Sequence, residues 1–451
     1  MSSEVLWSVL GDVVEEIIDR RGVTPLKLGG DFTSSGHRVI SAKLIKGGRV
    51  QLDADEPRFV DSMIYKKWMR TPLRAGDVLM TSEAPVGELA YLERDRGWVL
   101  GQRLFALRPK GNVLDGKYLY YALRTDQVRA EIFGRATGTT VQGIRQAELR
   151  LVKVPVPPIG VQRSVAETLS SLDDRISLIR ESNATLEAIA QTLFKSWFVD
   201  FDPVRAKAEG RQPDGMDAAT AALFPDSFDE SELGSFPAGW EVRPIGEMVE
   251  GIYDGPHATP PEANEGPVFL GIKNLTGASL DLSEVRYINE NDWKHWTRRV
   301  EPRHGDIVFS YEATLGFFAL IPPDVRCCLG RRLALVRPHS ENGAGLFWFH
   351  QFISKPFQQM LEKNTIHGAT VNRIALKAFP SYQVLNPTKA LKLAFDSSVS
   401  PLWAQIHRNQ AQAHTLTQLR DALLPRLISG QLRLPEAEAL AAGDARACAG
   451  T

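Results

Sequence analysis

Residues 75–109 read AGDVLMTSEAPVGELAYLERDRGWVLGQRLFALRP, and residues 304–338 read HGDIVFSYEATLGFFALIPPDVRCCLGRRLALVRP. Laid over one another without a gap at an offset of 229, they are identical at 13 of 35 positions. The shared residues include Gly76/Gly305, Asp77/Asp306, Glu83/Glu312, Gly87/Gly316, Gly101/Gly330, Arg103/Arg332 and Pro109/Pro338. The likeness continues outward at an offset of 230: GTTVQGI (138–144) matches GATVNRI (368–374), Lys43 matches Lys273, and TLEAIAQTLF (185–194) matches TLTQLRDALL (415–424). The period is far too long for a solenoid, in which each repeat is one small supersecondary unit. It is a duplication of a whole domain followed by its own helical stretch.

Within each copy, DVLMT and DIVFS read as short buried strands entered through a Gly-Asp turn, and RLFALRP and RLALVRP as strands closed by proline. KYLYYALRTDQVRAEIFG and LFWFHQFISKPFQQMLEK have helical periodicity, with Pro356 expected to kink or restart the second. The helical stretches carry a seam that alternates steps of three and four. In the first it runs through Leu169, Leu172, Ile176, Ile179, Leu186, Ala190 and Leu193, with Asn183 in register. In the second it runs through Val399, Leu402, Ile406, Ala413, Leu416 and Leu423, interrupted by Asn409 and Arg420. Two matched heptad seams in one chain predict helices packed on each other, against the plainer reading that each packs on its own domain.

The expected fold class is α+β: two pseudo-symmetric mixed α/β domains joined by two long helices that form a coiled coil. The boundaries follow as a first domain over 1–158, a central helix over 159–200 and a structured linker over 201–238. A second domain then covers 239–387, a C-terminal helix 388–430 and a tail 431–451. The linker is rich in Pro, Gly and Asp, and a new domain begins near Trp240.

Composition bounds the function. The 451 residues are 43% hydrophobic and 24% charged, a soluble globular profile for two or three domains. The formal net charge of -1 speaks mildly against nucleic-acid binding, although local basic patches matter more than the sum. Three cysteines, two of them the adjacent Cys327 and Cys328, fit neither a zinc site nor a disulfide framework. The acidic, amphipathic N-terminus does not read as a signal peptide, and no apolar run is long enough to span a bilayer. A cytoplasmic, bacterial-type protein is expected.

A catalytic constellation is missing from the sequence. Asp202-Pro203-Val204 lacks the second proline and the aromatic that an adenine methyltransferase needs to grip a flipped base. There is no phosphate loop of the G-x-x-x-x-G-K-[ST] kind, and the nine histidines are scattered rather than at metal-ligand spacing. No metal site is expected.

Polar residues concentrate instead in loops between the repeated strands. Thr139, Thr140, Gln142 and Arg145 in the first copy, and Thr370, Asn372 and Arg373 in the second, set hydroxyls, an amide and a guanidinium beside a glycine. Such groups suit phosphate positioning and base-edge hydrogen bonds, and Gln142 and Asn372 stand at equivalent positions where either could pair bidentately with adenine. An ordinary helix N-cap turn explains the same residues equally well. A second group sets RRGVTP, with Arg20 and Arg21, against DGPHATP, with His257. Lys43, Lys273 and the neighbouring Asn274 form a third.

The stretch LFKSWFVDFDPVRAKAEG (193–210), continued by ALFPDSFDESELGSFPAGWEV (222–242), resembles the central region of the specificity subunits of type I restriction-modification systems. DGPHATP and the two Gly-Asp strands are similar to that family's target-recognition domains. The resemblance covers nearly the whole chain except the tail. It implies two target-recognition domains at opposite ends of an antiparallel helix pair, each reading one half of a bipartite, asymmetric site in double-stranded DNA. It also implies docking of two modification subunits and of restriction/translocase subunits. S-adenosylmethionine, ATP and Mg are then expected in those partners and no cofactor in this chain, which is expected to be non-catalytic. The alternatives are a stand-alone DNA-modifying enzyme and a coiled-coil adaptor that does not read sequence.

Overall fold

The computed structural model describes residues 6–138, 141–231, 234–339, 345–368 and 371–432. The chain divides into two compact units, residues 1–177 with 415–451, and residues 178–414.

In the first unit, Leu104–Pro109 forms the middle of a four-stranded antiparallel sheet. It pairs with Val14–Asp19 on one side and Val78–Thr81 on the other, and Val78–Thr81 pairs onward with Leu89–Tyr91. A three-stranded sheet is built from His37–Ile40, antiparallel to Phe59–Val60 and parallel to Val99–Leu100. The second unit repeats both sheets. Leu333–Pro338 lies between Val249–Asp254 and Ile307–Ser310, with Phe318–Leu320 beyond, and Ala263–Leu270 pairs with Arg286–Tyr287 and, in parallel, with Cys327–Leu329.

The near-continuous apolar runs of the central strands have a physical cause: both faces are covered. Successive strand residues point to opposite faces. In the second unit Ile307, Phe309, Ala334 and Val336 enter a core with Phe347, Phe352 and Phe357 of the following helices. Val308, Leu333 and Leu335 enter a second core with Leu270 and Leu329 of the other sheet. In the first unit Leu79, Leu104 and Ala106 likewise pack with Ile40, Val60 and Leu100. Cys327 and Cys328 are buried in strand Cys327–Leu329, where burial pushes the Cys328 thiol up to about 12.

A buried ion pair closes each copy of the Gly-Asp turn. Gly76 and Gly305 adopt φ of 90° and 83°, a region that favours glycine. The turn lets Asp77 accept from Arg74 N at 2.8 Å and from Arg108 Nε and Nη2 at 2.9 and 2.7 Å. Asp306 does the same with Arg303 N and Arg337 at 2.8, 2.9 and 2.7 Å. Arg108 also donates to Pro72 O, and Arg337 to Glu301 O.

The helical stretch over 117–134 forms two helices rather than one, Gly116–Ala122 and Asp126–Arg135. Its counterpart is Gly345–Ile353 followed by Lys355–Lys363, restarted with Pro356 in the first turn. The break has the same cause in both: the hydroxyls of Thr125 and Ser354 donate back to Ala122 O and Gln351 O at 2.7 Å, offering the backbone an exit from the helix.

The two long helices are Ile159–Phe198 and Lys389–Ile428, each of 40 residues. Within the second unit they run antiparallel: Asn183 meets Asn409, Nδ2 of Asn409 donating to Oδ1 of Asn183 at 2.7 Å, while Phe194 and Trp197 meet Phe395. Within the first unit Arg420 meets Asp173. The polar interruptions of the seam are therefore matched to polar partners. Leu169, Leu172, Ile176, Ile179, Ile406, Leu416 and Leu423 are buried as the seam requires. Leu186, Leu193 and Leu402 are only partly buried, and Phe194 and Trp403 take the inner positions beside the last two. A straight helix drifts by about 20° per heptad from a 3.5-residue repeat, and here the core-facing side widens toward Phe347 and His350.

The stretch after the central helix is ordered and belongs to the second unit. Helices Asp202–Ala208 and Ala218–Ala222 are followed by the hairpin Phe228–Ser231 with Gly234–Pro237. Val204, Phe224 and Trp240 pack with Trp197 and Phe198 in its core. Among the described residues no helix is long and apolar enough to cross a membrane.

Candidate nucleic-acid interface

In each unit the end of the Val78–Thr81 or Ile307–Ser310 strand gathers four loops. In the first unit Ser82 N donates to Arg103 O at 2.8 Å, and Ile144 N donates to Ser82 O at 2.9 Å. Glu83 bridges to Gly143, and Thr137 and Gly143 exchange backbone hydrogen bonds of 2.8 and 2.9 Å. The segment bearing Gln142 is thus closed at its base by Thr137 and Gly143 and seated on Ser82–Glu83. It requires glycine at its start: Gly138 has φ of 121°, and a Cβ there would lie 2.1 Å from Val141 O. The Arg20–Pro25 loop joins through Gln102, whose side chain accepts from Gly22 N at 2.8 Å and donates to Val23 O at 2.7 Å.

The second unit repeats the arrangement. Tyr311 N donates to Arg332 O at 3.1 Å and Ile374 N to Tyr311 O at 2.7 Å. Glu312 bridges to Arg373, and Ala313 N donates to Asn372 O at 3.1 Å. The Asp254–Pro260 loop is tied down by Gly255 N donating to Leu333 O at 3.3 Å.

Gln142, Arg145, Asn372 and Arg373 are all exposed. Neither amide is placed as a cap. Helix Gln146–Arg150 begins after Arg145, with no side-chain cap, and Asn372 precedes the strand Arg373–Ile374. Arg145 and Arg373 do not occupy equivalent positions, because Arg373 aligns with Gly143. Thr139, Thr140 and Thr370 lie outside the described residues.

The other sequence candidates separate. Arg21 is partly buried, held by both Asp19 oxygens, with its guanidinium 4.2 Å above the Phe105 ring and Nη1 donating to Ile144 O at 3.4 Å. It braces the loop cluster from behind. Arg20 donates to Asp19 O at 3.3 Å. His257 is exposed and 2.9 Å from Asp254, which also pairs with Arg299 at 2.5 Å. Lys43 and Lys273 sit on equivalent exposed turns, near Asp55 at 3.5 Å and Glu284 at 3.7 Å. Asn274 is a correction. It is buried, its Oδ1 accepts from Gly271 N at 2.9 Å, and its Nδ2 donates to Asp281 O and Glu284 O at 2.9 and 3.0 Å. An amide so engaged folds its own loop and has no group left for a base.

Sequence reasoning gives no role to Glu83 with Arg103, or to Glu312 with Arg332. They form ion pairs of 3.1 and 3.8 Å within the same loop clusters. A signal for them exists, since all four are among the identities of the repeat. Among the described residues no group of three or more His, Cys, Asp or Glu side chains is placed to hold a metal ion.

Comparison with known proteins agrees with this geometry. Residues 8–188 match the family model described as type I restriction modification DNA specificity domain. The MjaIX specificity subunit of Methanocaldococcus jannaschii is 27% identical over 367 residues, covering 80% of this chain and 78% of that protein. The HindI specificity subunit of Haemophilus influenzae is 22% identical over 408 residues, covering 80% and 87%. The crystal structure of the type I restriction-modification S subunit from M. genitalium shares the fold, with a TM-score of 0.53 at 16% identity over 94% of this chain and 96% of that one. Over residues 8–188, and at 22–27% identity along most of its length, this chain is thus similar to type I restriction enzyme specificity subunits.

Proposed function

We propose that each unit reads one half of a bipartite site in double-stranded DNA, and that the chain serves as the sequence-reading, non-catalytic subunit of a complex whose chemistry belongs to modification and restriction subunits. One observation carries the reading: the same loop cluster is built twice on the same framework, while residues of its repeated loop differ, Gln142 standing against Asn372 and Gly143 against Arg373. A shared framework with different tips suits two independent readings of different half-sites, since base edges are read by side-chain hydrogen bonds and phosphates mainly set position. S-adenosylmethionine, ATP and Mg would be bound by the partner subunits.

Replacing residues 1–155 with the corresponding domain of a relative tests this. Methylome sequencing of a host carrying the hybrid should show one half of the methylated motif changed and the other retained. A change in both halves, or in neither, would remove the independent-domain reading. Incubating the purified chain with labelled S-adenosylmethionine and DNA tests the stand-alone enzyme, and no transfer is expected.

A further inference from the structure

Two arginine–carboxylate pairs recur at equivalent positions in the two copies of the repeat, and they are built differently. Arg108–Asp77 and Arg337–Asp306 are buried, bidentate and further bonded to backbone carbonyls. Their geometry is complete without a ligand. Arg103–Glu83 and Arg332–Glu312 are different in three ways.

First, both arginines have a left-handed backbone, with φ of 63° for Arg103 and 76° for Arg332. A side chain with a Cβ is disfavoured there, and glycine is the residue that adopts it freely. Arginine nonetheless stands at this strained position in both copies. Second, the pairs are open to solvent. The Arg103 and Glu83 side chains are 56% and 40% exposed, and Arg332 and Glu312 are 36% and 35% exposed. An exposed pair of this kind contributes little to stability. Third, the guanidinium groups are under-used: among the described residues neither donates a side-chain hydrogen bond, and Arg332 Nε is buried with only Glu312 near it, at 3.8 Å, beyond hydrogen-bond reach. Meanwhile the backbone carbonyls of both arginines accept from Ser82 N and Tyr311 N, which locks the strained residue beneath the Gln142 and Asn372 loops.

Backbone strain held at equivalent positions by a long, exposed, charged side chain motivates a functional reading. Residues that read different half-sites should differ between the copies, whereas these are the same. We infer that Arg103 and Arg332 are the duplicated DNA-phosphate contacts of the two units, each held ready by its glutamate and each setting the register of the neighbouring amide loop on the duplex. The inference rests on the DNA-reading function proposed above.

The test uses the full chain assembled with its modification subunits. Arg103→Gly and Arg332→Gly delete the guanidinium and relieve the left-handed strain together. The measurements are Tm and affinity for a cognate duplex, single-mismatch duplexes and a mixed-sequence duplex at several salt concentrations. Each variant should keep or raise Tm, weaken binding to all duplexes by the same factor, and reduce the slope of log K against log salt by about 0.9. Arg103→Lys and Arg332→Lys should retain that slope. A wild-type slope in the glycine variants overturns the assignment. So does a lowered Tm with the slope intact, which would make each pair a brace for its turn. If the wild-type complex itself shows no preference for any duplex, the proposed function fails rather than this assignment.

Discussion

Arg420 Nη1 lies 2.7 Å from Asp173 Oδ1, joining two positions 247 residues apart in the sequence. Tyr121 donates its hydroxyl to the other oxygen of Asp173 at 2.8 Å, and Arg124 approaches it at 3.5 Å. Within the first unit, one carboxylate therefore ties the C-terminal helix to the central helix and both to the globular part.

Removing Arg420 should be costly out of proportion to its position on a helix surface. Its side chain is only 14% exposed, so Asp173 would lose a charge-assisted bond that water replaces incompletely. Arg420→Ala should destabilise the chain by about 1–3 kcal/mol. A double-mutant cycle with Asp173→Ala should give a coupling energy of about 1 kcal/mol or more. Urea denaturation checks both, and purely additive effects would show that the contact contributes no coupling.

The buried pairs of the two Gly-Asp turns should respond alike. Asp77→Ala leaves the Arg108 guanidinium buried without its counter-charge, and Asp306→Ala does the same to Arg337. Each should cost about 3–5 kcal/mol. Replacing both members of a pair with apolar residues of similar volume should recover most of that loss. Chemical denaturation of the single and double variants decides this. Recovery is the informative outcome, because it separates an uncompensated charge from a turn that needs its carboxylate for backbone geometry.

These pairs also mark how far the fold is legible in the sequence. Gly76-Asp77 and Arg108, repeated as Gly305-Asp306 and Arg337, stand out as identities, and the strands they close follow from apolar runs beside a Gly-Asp turn. The heptad seam is legible through Leu169–Ile179 and Ile406–Leu423. At Leu193 and Leu402 it is displaced by one residue, because tertiary packing against Phe347 and His350 rather than helix–helix periodicity decides which face is buried there. Local sequence does not show that Asn274 turns inward, since an amide on a polar turn serves the backbone and a base edge equally well. Nor does it separate Arg103 from Arg108. Both are the same in the two copies, and only φ and exposure distinguish a residue held under strain from one at rest in a strand.

A titration belongs to Asp396. It accepts from Phe347 N at 2.7 Å and Leu346 N at 3.4 Å, so the C-terminal helix caps helix Gly345–Ile353. Burial pushes its carboxyl up to about 7, opposed by those two backbone donors and by Lys392. The folded state then holds the proton more tightly than the unfolded chain, whose carboxyl titrates near about 4. Stability from this group is present below about pH 4 and is lost as pH rises through about 7. Asp396→Asn keeps an acceptor for the helix and removes the titration. The variant should match wild type at pH 4 and be more stable by about 1–3 kcal/mol at pH 8. The comparison must be made as a difference between the two proteins. His350, which burial pushes down to about 3, gives the opposite slope in both, its share of stability being lost as pH falls below about 6.5. A gap that does not grow between pH 4 and pH 8 would mean that Asp396 is ionised throughout.

The exposed loop amides supply the sharpest test of which residues read bases. Gln142 and Asn372 occupy equivalent places in the repeated segment, and neither caps a described helix. An amide can donate and accept at one base edge, and a bidentate contact contributes about 1–3 kcal/mol of discrimination. Gln142→Ala and Asn372→Ala should each relax preference in one half-site only, leaving the salt slope unchanged. Arg145→Ala and Arg373→Ala should weaken binding to all duplexes and lower the slope by about one. The measurement is affinity for cognate and single-mismatch duplexes at several salt concentrations, with the modification subunits present. Because each amide projects from a loop closed at its base by backbone hydrogen bonds, its removal should leave Tm unchanged. If the mismatch penalties survive while Tm falls, the amides serve the loop and readout lies on other side chains of the same cluster.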